Sequence, residues 1–340
     1  MLAASSDVLH AAAGDMELTG EHPAGFTPLV SAISARYGVP ADHVTTAHGT
    51  TGANFLVCAA LLEAGDEVLV ERPGYDALLG APQLVGAVTK PFTRDFDAGF
   101  QLAPASVRRA ITPRTRLIVI TNPHNPSGIV AGSAAIDEIG DIARHHGAHV
   151  LVDEVYMDAG APHAPSTPGT PSTAATRGDV FISTSSLSKS YGLAALRCGW
   201  ILSSPAVADR LRRTRAIVEG GASLVAERVA ARAFHQIDAL LARSRGWLDA
   251  NRAILAAFLQ SRPELEWCDP GAGSIVFPRI RAVADSGRFV QQLLTLRQTA
   301  VVPGHLFGAP AHFRIGVGGD PQTLRQGLAS IGSALTARDW

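Results

Sequence analysis

Short apolar runs separated by helical segments set the first limit on the fold. Leu117 to Ile120, His149 to Val152 and Val180 to Ile182 are apolar throughout or nearly so, the pattern of strands covered on both faces. Val44 to Ala47, Glu67 to Val70, Val85 to Val88 and Cys198 to Leu202 read as further strands. Between them fall helical stretches: Pro28 to Tyr37, with Leu29, Ile33 and Tyr37 on one face, then Ala53 to Leu62, Tyr75 to Leu84, Pro104 to Ala110 and Ala134 to His146. Strands alternating with helices at this spacing imply an α/β fold, a largely parallel sheet covered by helices on both faces. With 340 residues, 46% of them hydrophobic, the chain suits one large domain of this kind with a smaller companion.

After Cys198 to Leu202 the chain turns helical over Pro205 to Ile217, Ser223 to Phe234 and Ile237 to Leu259. Ser204 before Pro205 reads as a capping residue, and the arginine-rich face that follows reads as solvated. From Glu266 on the texture changes. Short strands at Ser274 to Phe277, Ala300 to Val302 and Phe313 to Val317 mix with helices near Gly287 to Leu296 and Gln322 to Leu335, a smaller α+β domain. The expected division is an N-terminal arm over 1–26 that joins the small domain, a large domain over 27–242 and a small domain over 243–340. Gly160 to Gly178, rich in Pro, Thr, Ser and Ala, reads as a long surface loop.

Lysine and arginine number 29 against 30 acidic residues, so charge gives no reason to propose nucleic acid or a membrane as partner. Cys58, Cys198 and Cys268 are scattered and read as reduced packing residues, and the twelve histidines show no metal-ligand spacing. No basic segment leading into an apolar one opens the chain, and no apolar run approaches a membrane span, so the cytoplasm is the expected location.

In an open parallel sheet, ligands gather at the carboxyl ends of strands. Several reactive side chains fall at such places. Lys189 lies past the Val180 to Ile182 run among Ser183, Ser185, Ser186 and Ser188. An amine taken out of water has a lowered pKa and can attack a carbonyl to form a Schiff base. Pyridoxal phosphate is the common biological carbonyl for such a lysine, and Ser186, Ser188 and Arg197 can hold its phosphate. The turn Gly49-Thr50-Thr51-Gly52 joins a strand to a helix and makes a second phosphate cradle. Asp153 ends an apolar strand, where a carboxylate is costly unless a cation meets it, and a protonated pyridine nitrogen is such a cation. Tyr156 and Asn125 can reach the ring's phenolic oxygen, and Tyr75 offers a face to stack on. Each has a plain structural alternative: Asp153 as a helix cap, Asn125 as a turn former between prolines, Tyr75 and Tyr156 as core aromatics.

Taken together and in this order, Gly-Thr-Thr-Gly-Ala, Glu-Arg-Pro-Gly-Tyr, Asn-Pro-His-Asn-Pro-Ser-Gly, Val-Asp-Glu-Val-Tyr, Ser-Leu-Ser-Lys and a late Phe-Arg-Ile-Gly resemble the class I/II aminotransferases, fold-type-I pyridoxal-phosphate enzymes. The resemblance spans roughly Gly25 to Gly318. It implies that Lys189 is the Schiff-base lysine and proton shuttle, Asp153 the pyridinium partner, and Asn125 and Tyr156 the donors to the ring oxygen. It also implies that Thr50, Thr51, Ser186 and Arg197 hold the phosphate, that Tyr75 stacks, and that Arg314 grips the substrate α-carboxylate. An amino acid and a 2-oxo acid are the implied substrates, and a homodimer with active sites between subunits the implied assembly. A lyase, a decarboxylase or a cyclising synthase on the same scaffold is the alternative. One departure is visible: around Glu21-His-Pro-Ala-Gly25 there is no tyrosine where the family places one that reaches the partner subunit's phosphate, so His22 substitutes or the contact is absent.

Overall fold

The apolar runs become the middle of one sheet. The computed structural model describes residues 24–160, 172–271, 273–337 and 340. The strands β1 (Val44–His48), β2 (Glu67–Arg72), β3 (Val88–Thr93), β4 (Thr115–Thr121), β5 (His149–Asp153), β6 (Phe181–Ser186) and β7 (Cys198–Leu202) form a 7-stranded sheet in the order β1-β7-β6-β5-β4-β2-β3. Only β7 runs against its neighbours; the pairs β6-β5, β5-β4, β4-β2 and β2-β3 are parallel.

Alternation along the central strands divides their side chains between two cores. Leu117, Val119 and Leu151 face the helices Gly49–Leu61, Asp76–Leu84 and Pro205–Val218. Ile118, Ile120, Val150 and Val152 face the helices Pro104–Ala110 and Ser133–His146. A strand needed on both faces can spare no polar position, which is why these runs are unbroken. Near β1 and β7, Trp200 and Leu202 pack with Leu29 and Ile33 of the helix Thr27–Tyr37 and with Phe234 of the helix Leu224–Phe234.

The C-terminal part is built from shorter pieces. Leu265–Glu266 pairs with Arg279–Ile280, and Phe313–Gly316 lies between Val302–Pro303 and Ile275–Val276, all antiparallel. Phe289, Phe313, Ile315, Leu328 and Ile331 close a core of their own with the helices Gly287–Arg297 and Pro321–Ala337. The helix Ile237–Gln260 bridges both regions: Ile237 and Leu241 pack with Trp200, while Leu248, Leu255 and Leu259 pack with Phe313. The fold is therefore the α/β one expected, a large mixed and mostly parallel sheet with a smaller α+β unit.

Several local expectations are corrected. The strand placed at Val85 to Val88 begins at Val88 and runs to Thr93, because Val85 caps the preceding helix and Gly86 turns the chain at φ 81. This is the sheet edge, so Lys90 and Pro91 are tolerated there and mask its pattern. Of the Ala300 to Val302 run only Val302 is strand, and the strand continues to Pro303. Ser204 occupies the cap position of its helix but its hydroxyl makes no cap bond; Ser223 does so for the next helix, accepting from the Ala226 N–H at 3.4 Å. The arginine face of Pro205–Val218 is only partly solvated. Arg215 is 2% exposed, and its Nη1 donates to the carbonyl and hydroxyl oxygens of Thr46 at 2.9 and 2.7 Å. Of the expected N-terminal arm, residues 1–23 lie outside the described residues, His22 among them, as do residues 161–171 of the loop Gly160 to Gly178. Cys58 and Cys198 are buried free thiols whose burial pushes both up to about 12, and Cys268 is partly exposed. No helix of the described residues is long and apolar enough to cross a membrane.

Candidate active site

Register decides what stands at the carboxyl edge of the sheet. Thr121 on β4 lies beside Asp153 on β5, which lies beside Thr184 on β6, so their side chains leave the sheet in one row. Asn54, one turn into the helix that follows β1, meets this row. Its Nδ2 donates to Asp153 Oδ2 at 2.8 Å, and its Oδ1 accepts from the Thr184 hydroxyl at 2.6 Å. The Val155 N–H donates to the other carboxylate oxygen at 3.1 Å. Burial pushes the Asp153 carboxyl up to about 6, against the pull of these donors. The carboxylate is thus held by neutral partners that fix its direction without neutralising it.

The expected turn at Gly49 to Gly52 is itself the first turn of the helix Gly49–Leu61, so unspent backbone N–H groups and the positive end of the helix dipole point into the site. Thr50 Oγ1 donates to Ser186 Oγ at 2.9 Å, and the Ser188 N–H donates to the same oxygen at 3.3 Å. Arg197 Nη1 donates to Ser188 Oγ at 3.4 Å. Two glycines make room. Gly49 has φ +69, and a Cβ there would lie 2.4 Å from Arg197 Nη2. A Cβ on Gly199 would lie 2.6 Å from the Gly49 carbonyl carbon.

On the opposite wall, Arg314 projects from Phe313–Gly316 with its guanidinium over the Phe307 ring, 5.0 Å from the centroid. Its Nη1 donates to Asn125 Oδ1 at 2.6 Å. Asn125 is tied down from behind: its N–H donates to Thr121 Oγ1 at 2.8 Å, and the Thr121 hydroxyl and N–H both donate to Glu71 Oε1, at 2.5 and 2.7 Å. Glu71 is wholly buried and paired with Arg94 at 2.9 Å. Tyr156 is half-buried, and burial raises its phenol above the ordinary value, so the hydroxyl stays a donor.

Lys189 is more accessible than a lysine taken out of water. It is exposed, but to the cleft: it lines the same cavity as Asp153. Partial burial, then the charges of Arg314 and Arg197, lower its pKa, while Asp153 raises it. The cavity, about 280 Å³, is lined by Thr50, Thr51, Tyr75, Asn125, Asp153, Tyr156, Ser186, Ser188, Lys189, Arg197 and Arg314, which brings together every site residue expected from sequence. A second cavity of about 360 Å³ shares Tyr156, Ser188, Lys189 and Arg314 with the first and extends to Ser244 and Leu248.

Asn54, Thr121, Thr184, Glu71 and Arg94 were not expected. Asn54 carried a signal, an isolated amide in a helix apolar nearly all round. The others did not, since a threonine or a charged residue at a strand end is unremarked until the neighbouring strand is known.

These residues fit pyridoxal phosphate: a directed carboxylate without a cation, hydroxyls and a guanidinium at a helix start, and an amine between them. Comparison with known proteins agrees. Residues 3–331 match the family described as Aminotransferase class I and II. A capreomycidine synthase of Streptomyces vinaceus is 33% identical over 309 residues, 90% of this chain and 78% of that protein. An arginine–pyruvate transaminase of Pseudomonas aeruginosa is 29% identical over 299 residues, 86% and 75% of the two chains. A pyridoxal-phosphate-dependent aminotransferase structure from Streptococcus suis aligns at TM-score 0.88 and 29% identity, covering 98% of this chain and 88% of its own. With the match running through nearly all the chain and the fold shared, this protein belongs to the class I and II aminotransferases, enzymes that work with pyridoxal 5'-phosphate.

Proposed function

We propose that the cavity between Asp153 and Arg314 is where this aminotransferase moves an amino group between an L-amino acid and a 2-oxo acid, with Lys189 as the anchoring and proton-moving group. The observation that carries the assignment is the meeting of Asp153, Lys189 and Arg314, from distant segments, around one cavity. Thr50, Thr51, Ser186, Ser188 and Arg197 hold the phosphate, with Arg197 as the charged member. Asp153 would take the ring nitrogen and keep it protonated. Asn125 and Tyr156 would donate to the ring oxygen; with Asn125 Oδ1 taken by Arg314, its amide NH₂ is the group left for that bond. Tyr75 covers one face. When bound, the protonated pyridine ring supplies a sink for the electron pair left at the substrate α-carbon.

Arg314 binds the substrate α-carboxylate with its planar fork and so fixes where the α-hydrogen points. Lys189, lowered in pKa, has a share of free amine that could take this proton from the α-carbon and hold it for return. Phe307 beneath Arg314 shields that end from water. The homodimer belongs to this reading: Thr51 is exposed and Tyr75 is 38% exposed at the cavity rim, where a second subunit can close it. So do the boundaries 27–242 and 243–340, supported by the two cores that the helix Ile237–Gln260 joins, and a cytoplasmic location, supported by three free cysteines.

Borohydride treatment of the cofactor-loaded protein should leave the pyridoxyl group on a peptide containing Lys189; labelling elsewhere, or none, overturns the assignment. The likeness to a synthase favours one second reading, a synthase or lyase reaction on the same residues. Incubation with single amino acids and no 2-oxo acid separates the two. Transamination stops after one equivalent per site, whereas continuous release of ammonia or carbon dioxide supports the alternative.

A further inference from the structure

Beside Tyr156 and Lys189 lies a buried polar knot that the reading above leaves without a task. Asp158, 7% exposed, accepts on one oxygen, Oδ2, the hydroxyls of Tyr37, at 3.1 Å, and of Tyr191. The Arg36 guanidinium stands 4.0 Å from the same oxygen and lies over the Tyr191 ring. Burial, and after it the charge of Asp158, keeps both phenols protonated, so both act as donors. Ser190 adds two stitches: its hydroxyl donates to the Val155 carbonyl at 3.2 Å and accepts the Ala159 N–H at 3.3 Å. The Asp158 carbonyl accepts from Arg245 Nη2, on the helix Ile237–Gln260, at 2.9 Å. The segment carrying Tyr156 and the segment carrying Lys189 are thereby sewn together from below the cleft.

We propose that Asp158 and Tyr191 are positioning residues for Lys189, their buried hydrogen bond setting where the amine stands relative to Tyr156 and Asp153. The proposal rests on the proton-moving role assigned to Lys189. Its physical basis is that Lys189 is exposed to the cleft and its amine makes no hydrogen bond among the described residues, only the backbone carbonyl accepting from the Gly192 N–H at 3.3 Å, so its neighbours in the chain must fix its stem. The stitches at Ser190 and Tyr191 are those neighbours. An amine that has to reach two carbons in turn tolerates little displacement.

Tyr37 supplies the control. Both phenols end on the same carboxylate oxygen and both are 4% exposed, but only Tyr191 continues to Lys189, two residues away. Tyr191→Phe and Tyr37→Phe in the full chain should therefore lose comparable thermal stability. Tyr191→Phe should lower kcat about 10- to 100-fold, as a misplacement of the order of an ångström does, with KM little changed. It should also slow, by a similar factor, the capture of pyridoxal phosphate on Lys189 by the cofactor-free protein, followed as growth of the visible absorbance. Tyr37→Phe should leave kcat and capture within about twofold of the parent. If the two variants behave alike in kcat and capture, the proposal is overturned. If the unaltered protein is not labelled on Lys189 by borohydride, the earlier assignment fails instead. Should Tyr191→Phe not fold, Ser190→Ala cuts the other two stitches: a fall in kcat and capture rate supports the proposal, and unchanged values overturn it.

Discussion

Gly49 is the residue through which the phosphate assignment can be tested without touching a phosphate ligand. Its φ of +69 belongs to the left-handed region, and a Cβ there would meet Arg197 Nη2 at 2.4 Å and Cζ at 3.0 Å. Two effects separate. Left-handed backbone strain in a residue with a side chain costs about 1–2 kcal/mol of stability. The clash is with the far end of a flexible side chain, so Arg197 swings away rather than the fold breaking, and what is lost is its charged hydrogen bond to phosphate, worth about 1.5–3 kcal/mol. At 1.4 kcal/mol per decade that is a fall of roughly 10- to 150-fold in affinity. Titrating cofactor-free Gly49→Ala with pyridoxal phosphate should show this fall, while pyridoxal, which has no phosphate, should bind as it does to the parent. Gly65→Ala is the control, since Gly65 has φ +89 and nothing within 4 Å of the new Cβ, so it carries the strain alone. Affinity of Gly49→Ala for pyridoxal phosphate within twofold of the control would refute the role given to Arg197.

Other expectations follow from the groups behind the site. The Asp153 carboxyl is raised from 3.8 to about 6 in the folded cofactor-free protein, so between those values the folded chain keeps a proton that the unfolded chain has lost. Stability must then fall as pH rises through this window, by about 3 kcal/mol at 1.36 per pKa unit. Glu154, raised from 4.5 to about 8 by burial, extends the decline toward pH 8. Melting temperatures of the cofactor-free protein across pH 4 to 8 check this, and a flat profile contradicts it; added pyridoxal phosphate, bringing a cation to Asp153, should protect most at the upper end. Asn54→Ala removes the 2.8 Å donor to Asp153 and should weaken cofactor binding by about 1–3 kcal/mol, read by the same titration; unchanged affinity would mean Asn54 does not direct the carboxylate. Arg94→Met strands Glu71 as a buried unpaired charge and should destabilise the protein by about 3–5 kcal/mol in urea unfolding, with the double variant Arg94→Met, Glu71→Leu recovering much of the loss. Failure to recover would place the pair's value in shape rather than charge.

The residues proposed to hold cofactor and substrate could be read in the chain because most of them have a local signature. Lys189 and Asn125 follow strands and Asp153 ends one, and an apolar run with a charged or amide side chain at or just past its end is visible without coordinates; Arg314 lies within Phe313–Gly316 and was legible only through the Phe-Arg-Ile-Gly of the resemblance. The central strands were visible for the same reason, since burial on both faces leaves no polar position. Local pattern failed where the environment is set from outside the segment. β3 was misplaced because an edge strand answers to one neighbour only and tolerates Lys90 and Pro91. Arg215 looked solvated because no local rule brings Thr46 against it.

The supporting layer was invisible for a deeper reason. Asn54 meets Asp153, Glu71 meets Thr121 and Tyr191 meets Asp158 across 99, 50 and 33 residues of chain. Which of these partners meet depends on strand order and register, and those emerge only when the whole sheet closes. A hydrogen bond needs its partners within about 3 Å. Periodicity along a chain carries no information at that scale about another segment, so the amino-acid order announces the chemistry, and the packed sheet sets the distances at which it can work.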